Sequence, residues 1–263
     1  MARQVAVITG ASGGIGADVA RVMAKAGHDL ALVARSEAPM QALADEITAD
    51  GRPRPLVLAL DLGVAGAASK LQAALGEAQA EVQILVNNAG FGLLGEVAKL
   101  DQAEQLAIID LNVRALTEMT LTFLPQITRL KGRILNVASI AAFMPGPGMA
   151  VYYASKAYVL SFSQSLGEEL RGSGVSVSAL CPGPVLTGFQ ARAKQANSRL
   201  LDVYKPVPSL SVAQQGYDGL MRGSRVIVPG WMNKLTVWSV AFTPKSLLLR
   251  VTGRLQATRR TSV

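Results

Sequence analysis

The sequence is poor in the residues that build several common functional sites. Its 263 residues include one cysteine, Cys181, and one histidine, His28. A lone cysteine excludes an intrachain disulfide and fits a reducing compartment such as the cytoplasm. A lone histidine argues against a histidine-built metal site and against a Ser-His-Asp triad, so no metal is expected. His28 follows Ala26-Gly27 and reads as a surface turn. No run of about 18 apolar residues is present to span a bilayer. Met1-Ala2-Arg3-Gln4 leads straight into an apolar run, without a secretory signal. Low-complexity tracts and internal repeats are also missing. The stretch from Gly219 to Val263 lacks acidic residues altogether and carries eight basic ones (Arg222, Arg225, Lys234, Lys245, Arg250, Arg254, Arg259, Arg260). The other 18 basic residues balance the 18 acidic ones, so the net charge of +8 belongs to the C-terminal segment. That placement argues against nucleic acid as a partner, because a binding domain would carry its basic surface on the domain itself.

What is there is apolar and regular. Half of the residues are hydrophobic, enough for a large core. Short apolar runs at Val5-Ile8, Leu30-Ala34, Leu56-Leu60, Val82-Val86, Arg133-Ala138 and Val175-Leu180 read as strands. Helices are expected between them, at residues 37–49, 64–79, 102–124 and 151–171, with the first starting after the glycines near residue 14. A further helix at 211–221 and a last strand at 225–228 follow. This alternation predicts a three-layer α/β fold, a doubly wound parallel sheet of about seven strands with a helical tail. Residues 1–230 form the expected dinucleotide-binding and catalytic domain, and residues 231–263 a basic amphipathic tail. Residues 187–208 are polar and suit a mobile helical lid.

In such sheets ligands bind outside the carboxyl ends of the strands. Several polar stretches fall there: the glycine loop Thr9-Gly10-Ala11-Ser12-Gly13-Gly14-Ile15-Gly16, Asp61, Asn87-Asn88-Ala89-Gly90, Ser139 and Pro182-Gly183. Glycines between strand one and helix one permit a tight turn, and the helix N-terminus offers N–H groups to a diphosphate. The spacing G-x-x-x-G-x-G differs from G-x-G-x-x-G, so a turn that merely closes the joint is the plain alternative. Strand two ends in Ala34-Arg35-Ser36 rather than in an acidic residue. An arginine there accommodates a 2′-phosphate, which favours NADP over NAD, although a solvated Arg35 would look the same. Tyr152 and Lys156 are one helical turn apart, which sets a phenol beside an ammonium that lowers its pKa. Ser139 lies thirteen positions before Tyr152.

These motifs, in this order and spacing, resemble those of the short-chain dehydrogenase/reductase family over roughly residues 4–230. The resemblance implies a Rossmann-like fold, a nicotinamide cofactor and hydride transfer to or from a carbonyl or alcohol carbon. It implies Tyr152 as general acid/base, Lys156 as the residue that lowers its pKa and holds the nicotinamide ribose, and Ser139 as the partner of the reacting oxygen. Asn112, otherwise an unremarkable helix residue, matches the family's asparagine that supports a proton-relaying water. Gly10, Ser12, Gly13, Gly14, Ile15, Gly16, Arg35, Asp61, Leu62, Asn88, Ala89 and Gly90 match cofactor contacts, as do Pro182, Gly183, Val185 and Thr187 near the carboxamide. Asp61 could equally cap the following helix. Tyr153, about 100° further round the helix, is expected to be packing. Two other readings use the same fold: a non-catalytic nucleotide-sensing protein, and an NAD-using epimerase or dehydratase.

From Ile134 to Ser155 no residue is charged, so residues 140–149, with Leu186 and Phe189, are expected to line a cleft for a lipophilic substrate. The lid adds Arg192, Lys194, Arg199 and Lys205. The tail from Trp231 to Phe242 is apolar at helical spacing, and Pro244 opens a second stretch ending in arginines. Tryptophan, leucine and arginine without acids fit an interfacial helix near anionic lipid. Docking on its own domain or on a second subunit is the favoured alternative, with a homodimer or homotetramer expected.

Overall fold

The computed structural model describes residues 2–193 and 206–256. Nine strands and ten α-helices are found among them. The strands are β1 (Arg3–Thr9), β2 (Asp29–Ala34), β3 (Leu56–Ala59), β4 (Ala80–Asn87), β5 (Arg133–Val137), β6 (Ser176–Leu180), β7 (Val185–Leu186), β8 (Val207–Pro208) and β9 (Val226–Ile227). The helices are α1 (Gly14–Lys25), α2 (Glu37–Ala49), α3 (Ala67–Glu77), α4 (Gln102–Ile109), α5 (Leu116–Arg129), α6 (Ala150–Glu169), α7 (Phe189–Arg192), α8 (Ser209–Met221), α9 (Trp231–Phe242) and α10 (Lys245–Gln256). Seven strands form one parallel sheet in the order β3-β2-β1-β4-β5-β6-β9. The order reverses between β1 and β4, which opens a crevice at their carboxyl ends.

Alternation along each strand builds two cores. From β1, Ala6 and Ile8 pack with Val19, Met23, Met40 and Leu220 of α1, α2 and α8. Val5 and Val7 point the other way, toward Leu71, Met119, Phe123 and Ile127 of α3 and α5. Both faces are covered, so the strands read as continuous apolar runs rather than as a period of two. Fully burying a leucine- or phenylalanine-sized side chain contributes about 1.5–3 kcal/mol, and Phe123, Met23 and Met40 are completely enclosed.

The expected helix 102–124 is interrupted. Asp101 caps α4, its carboxylate accepting the Glu104 N–H at 2.8 Å. Residues Asp110–Ala115 then form a wider π turn, and α5 runs on through Pro125 to Arg129. The sequence gives little warning, since a π turn inserts one residue without any special composition. Within 187–208, α7 and β8 are described, and β8 pairs in parallel with β7. Lys194, Arg199 and Lys205 lie outside the described residues. Asp61 does not cap α3: its carboxylate accepts the Gly63 N–H at 2.8 Å, and α3 begins at Ala67 behind Gly66. His28 sits beside α8, its Nε2 3.2 Å from the Tyr217 hydroxyl.

Candidate active site

The carboxyl ends of β1 and β4 are laced together by side chains. The Thr9 hydroxyl accepts the N–H groups of Asn88 and Ala89 at 2.9 and 3.1 Å and donates to the Val86 carbonyl at 3.1 Å. The Asn88 amide donates to the carbonyls of Thr9 and Gly10. The glycine loop is thereby fixed against Asn88-Ala89-Gly90. Gly16 is required by close approach, because a Cβ there would collide with the Gly10 carbonyl oxygen and the Asn88 amide. Gly16 thus closes the turn and does not line the cleft. Helix α1 starts at this loop with no side chain capping it, so its N-terminal N–H groups face the crevice.

A second lattice sets the interior of the site. The Asn87 amide donates to Thr120 Oγ1 and Asn136 Oδ1, and the Asn136 amide donates to Ser163 Oγ. This chain of buried amides ties β4 and β5 to α5 and α6. Asn112, in the π turn, is 1% exposed and makes three hydrogen bonds. Its amide donates to the Phe91 carbonyl and to Ser155 Oγ at 3.0 Å each, while its Oδ1 accepts the Phe91 N–H at 3.1 Å. A Cβ added to Gly90 would lie 2.8 Å from Asn112 Oδ1 and 3.4 Å from Lys156 Nζ, so the two side chains flank the same glycine.

Tyr152 and Lys156 project from one face of α6, with Lys156 Nζ 5.8 Å from the centre of the Tyr152 ring. Lys156 is buried and donates to the Val137 carbonyl at 2.8 Å. Ser139 Oγ accepts the Ala141 N–H at 3.1 Å and lies 3.4 Å from the Pro182 carbonyl. Burial pushes the Lys156 ammonium down to about 8, with the buried Cys181 thiol acting weakly against that fall. Burial also raises the Tyr152 phenol well above its ordinary value, partly offset by Ser139. The expected lowering by Lys156 is therefore overturned for the protein without cofactor. Desolvation dominates the phenol's shift, the neighbouring Tyr153 adds to it, and Lys156 has no part in it.

One cleft of about 660 Å³ takes in these groups. At one end it is lined by Gly10, Ser12, Gly13, Gly14, Ile15, Arg35, Asp61, Leu62, Asn88, Ala89 and Gly90. Ser139, Tyr152, Lys156, Pro182, Gly183, Val185 and Thr187 line its middle. Thr187 hangs over the loop, since a Cβ on Gly14 would lie 2.9 Å from its methyl. Of residues 140–149, Ile140, Ala141, Met144 and Met149 reach the cleft. Phe189 does too, its ring 5.4 Å from that of Tyr152. Leu186 lies outside this cleft and points to solvent, because β7 turns it away. The Arg192 guanidinium stacks 4.3 Å from the Phe91 ring centre.

Sequence reasoning missed the far wall. Helices α9 and α10 fold back over the cleft, contributing Thr236, Ser239 and Val240 from one, Thr243 from the link between them, and Leu247, Leu248, Val251 and Leu255 from the other. Gln256 donates to the Tyr153 hydroxyl at 2.8 Å, and Thr252 donates to the Pro145 carbonyl at 3.0 Å. Tyr153 is thus more than packing. No local signal in the sequence marks these residues, because they meet the cleft only through the return of the chain. The substrate-side loops are also joined to one another: the Leu94 N–H donates to the Ala193 carbonyl at 2.9 Å, and the Gly95 N–H to the Gly148 carbonyl at 2.8 Å.

The loop end of the cleft fits a dinucleotide. It offers uncapped helix N–H groups for a diphosphate, and Arg35, which has no ion pair among the described residues, at the end of β2. The middle sets a phenol, a hydroxyl and an ammonium around an apolar space, an arrangement able to move one proton to or from a bound oxygen. No group of histidine, cysteine or carboxylate side chains able to hold a metal is found among the described residues.

Comparison with known proteins bears on this geometry. The short chain dehydrogenase family model matches residues 4–198. A short chain dehydrogenase of Pseudocercospora fijiensis is 38% identical over 187 residues, which cover 69% of this chain and 60% of that relative's length. A short-chain dehydrogenase from Sphingobium yanoikuyae, solved in complex with NADPH, superposes with a TM-score of 0.80 at 30% identity, over 91% of this chain and 93% of that one. A bulky-bulky ketone specific alcohol dehydrogenase from Comamonas testosteroni superposes with a TM-score of 0.75 at 28% identity, over 90% and 92%. The matched residues run from β1 through the Tyr152–Lys156 turn and past Thr187, and the chain therefore belongs to the short-chain dehydrogenase/reductase family of NAD(P)-dependent oxidoreductases.

Proposed function

We propose that the protein transfers a hydride between NADP(H) and a lipophilic carbonyl or alcohol, with Tyr152 as general acid/base. The observation that carries this reading is the continuity of the cleft. It joins the glycine loop and Arg35 at one end to Tyr152 and an apolar wall at the other. The nicotinamide, when bound, supplies or accepts the hydride. Arg35 pairs with the 2′-phosphate, and the uncapped start of α1 takes the diphosphate. Ser139 holds the substrate oxygen where charge develops, and the Tyr152 hydroxyl gives it a proton in reduction or takes one in oxidation. Lys156 holds the nicotinamide ribose and receives the proton relayed by a water that Asn112 supports. The NADPH complex of the Sphingobium relative supports the cofactor, and the bulky-ketone specificity of the Comamonas enzyme supports a large substrate.

We extend the reading to assembly and location. Exposed Leu106, Leu121 and Tyr158 on α4, α5 and α6 support a homodimer or homotetramer paired through helices. No helix among the described residues is long and apolar enough to cross a membrane. A cytoplasmic location agrees with the lone buried Cys181.

The test uses purified protein, NADPH and a panel of hydrophobic ketones, with turnover followed as loss of NADPH absorbance. Tyr152→Phe is expected to bind NADPH as wild type does and to lose roughly 10²–10⁴-fold in turnover. A wild-type rate in that variant would remove the acid/base role.

A further inference from the structure

The first of the two C-terminal helices, α9, has its polarity reversed. On α9 the residues turned toward the domain and cleft are Asn233, Thr236 and Val240, with Thr243 just past its end. A Cβ on Gly183 would lie 2.5 Å from the Asn233 amide oxygen, and the Asn233 amide donates to the Pro229 carbonyl at 2.7 Å. The outward residues are Trp231, Leu235, Trp238 and Phe242, which are 72, 54, 64 and 73% exposed. At 100° per residue these four fall within about 60° of arc, one unbroken apolar stripe. Trp238 and Phe242 touch, their ring centres 5.1 Å apart. A helix that docks on its own domain normally does so with its apolar face. Here that face is the one left outside.

Around the stripe the charge has one sign. Lys234, Lys245, Arg250 and Arg254 are exposed, and none of them is in an ion pair among the described residues. No acidic residue follows Asp218. The mouth of the cleft opens beside the same stripe. Leu247 and Val251 of α10 belong to the cleft lining and are also about half exposed, and Thr243, the residue after Phe242, lines the cleft as well.

We propose that Trp231, Leu235, Trp238 and Phe242 dock the protein on an anionic lipid bilayer, with the mouth of the substrate cleft held against the lipid. Charge decides between the candidate occupants. A second copy seated face to face would bring the cations of both subunits together, whereas an anionic surface is attracted by each of them. Tryptophan and phenylalanine enter the headgroup boundary, and the cations meet the phosphates. Resting on the proposed lipophilic substrate, the arrangement lets a substrate dissolved in the membrane reach Tyr152 without passing through water.

The chain carries its own probe, because both of its tryptophans, Trp231 and Trp238, lie on α9. Full-length protein is titrated with phosphatidylcholine vesicles with and without phosphatidylglycerol, some bearing brominated acyl chains. Vesicles containing phosphatidylglycerol are expected to shift tryptophan emission to the blue, with quenching by bromine. Apparent affinity should fall at least about tenfold when phosphatidylglycerol is omitted. A similar fall is expected in Leu235→Ser/Phe242→Ser, which keeps both tryptophans, and a smaller one in Lys245→Gln/Arg250→Gln. No shift and no quenching with either vesicle would overturn the proposal. So would a blue shift without vesicles that grows with protein concentration and follows dimer formation in sedimentation, since a second copy would then own the face. NADPH binding, measured on separate aliquots, keeps the two readings apart: its loss with vesicle binding intact counts against the oxidoreductase reading alone.

Discussion

Lys156 offers a direct reading of what the buried site costs. Its ammonium is pushed from 10.5 down to about 8 by burial in the folded chain. In the unfolded chain it returns to its ordinary value. Below pH 8 both states hold the proton, so this group gives stability no slope. Between pH 8 and 10.5 the unfolded chain holds one proton more than the folded one, so stability climbs with pH. The separation of about 2.5 pKa units corresponds to about 3 kcal/mol in total. Cys181 works the other way: burial pushes its thiol from 9.0 up to about 12, so above pH 9 it lowers stability as pH rises. The buried Tyr152 phenol does the same at higher pH. Both groups are kept in Lys156→Met, whose methylene stem fills the same space without the charge. Urea unfolding of the two proteins without cofactor, from pH 7 to 10.5, therefore isolates the lysine. Wild-type stability minus that of Lys156→Met should rise by about 3 kcal/mol across the window. A flat or falling difference would refute the claim that the ammonium is buried at a cost.

Three further outcomes follow from the geometry. Gly13→Ala should keep wild-type stability, because φ at Gly13 is 173° and no protein atom lies within 4 Å of its added Cβ, whereas Gly16→Ala meets the Gly10 carbonyl and should lose about 2 kcal/mol in thermal or urea unfolding. Arg35→Ala should weaken NADPH binding by roughly 10–100-fold and leave NADH binding unchanged, as measured by fluorescence titration; equal losses for both would deny the 2′-phosphate contact. Gln256→Met removes the hydrogen bond to Tyr153 and should raise the KM for a hydrophobic ketone by roughly 2–10-fold with NADPH affinity intact, while an unchanged KM would separate α10 from substrate binding.

Much of the fold was legible because its signals are local. Each buried strand of the main sheet is a short apolar run, while the helix expected over 64–79 overruns the true start of α3 at Ala67, behind Gly66. The cofactor end of the candidate site was legible for the same reason, since its residues follow strands directly in sequence. The π turn was not, because Asp110–Ala115 keeps ordinary helical composition and differs only in which carbonyl each N–H finds. Nor was the substrate wall. Thr236, Ser239 and Thr243 become cleft residues only because α9 returns across the sheet edge, a long-range contact that no spacing in α9 announces. The Tyr152–Lys156 pair shows a further limit. Its spacing is visible in the sequence, but the direction of the phenol's shift depends on how much water the surrounding chain removes.

The backbone links Leu94–Ala193 and Gly95–Gly148 join segments that leave three different strands of the main sheet, β4, β5 and, by way of β7 and α7, β6. Each such segment is, in principle, a replaceable part on a fixed sheet. Here they share main-chain hydrogen bonds, which are indifferent to side-chain identity yet demand that the partner backbone stay in place. Point substitutions can therefore retune the pocket one residue at a time. Insertions and deletions cannot, because a length change in one segment leaves a neighbour's carbonyl or N–H without its mate. The expected history of such a pocket is drift in side chains at constant loop length, punctuated by exchanges in which all three segments change together.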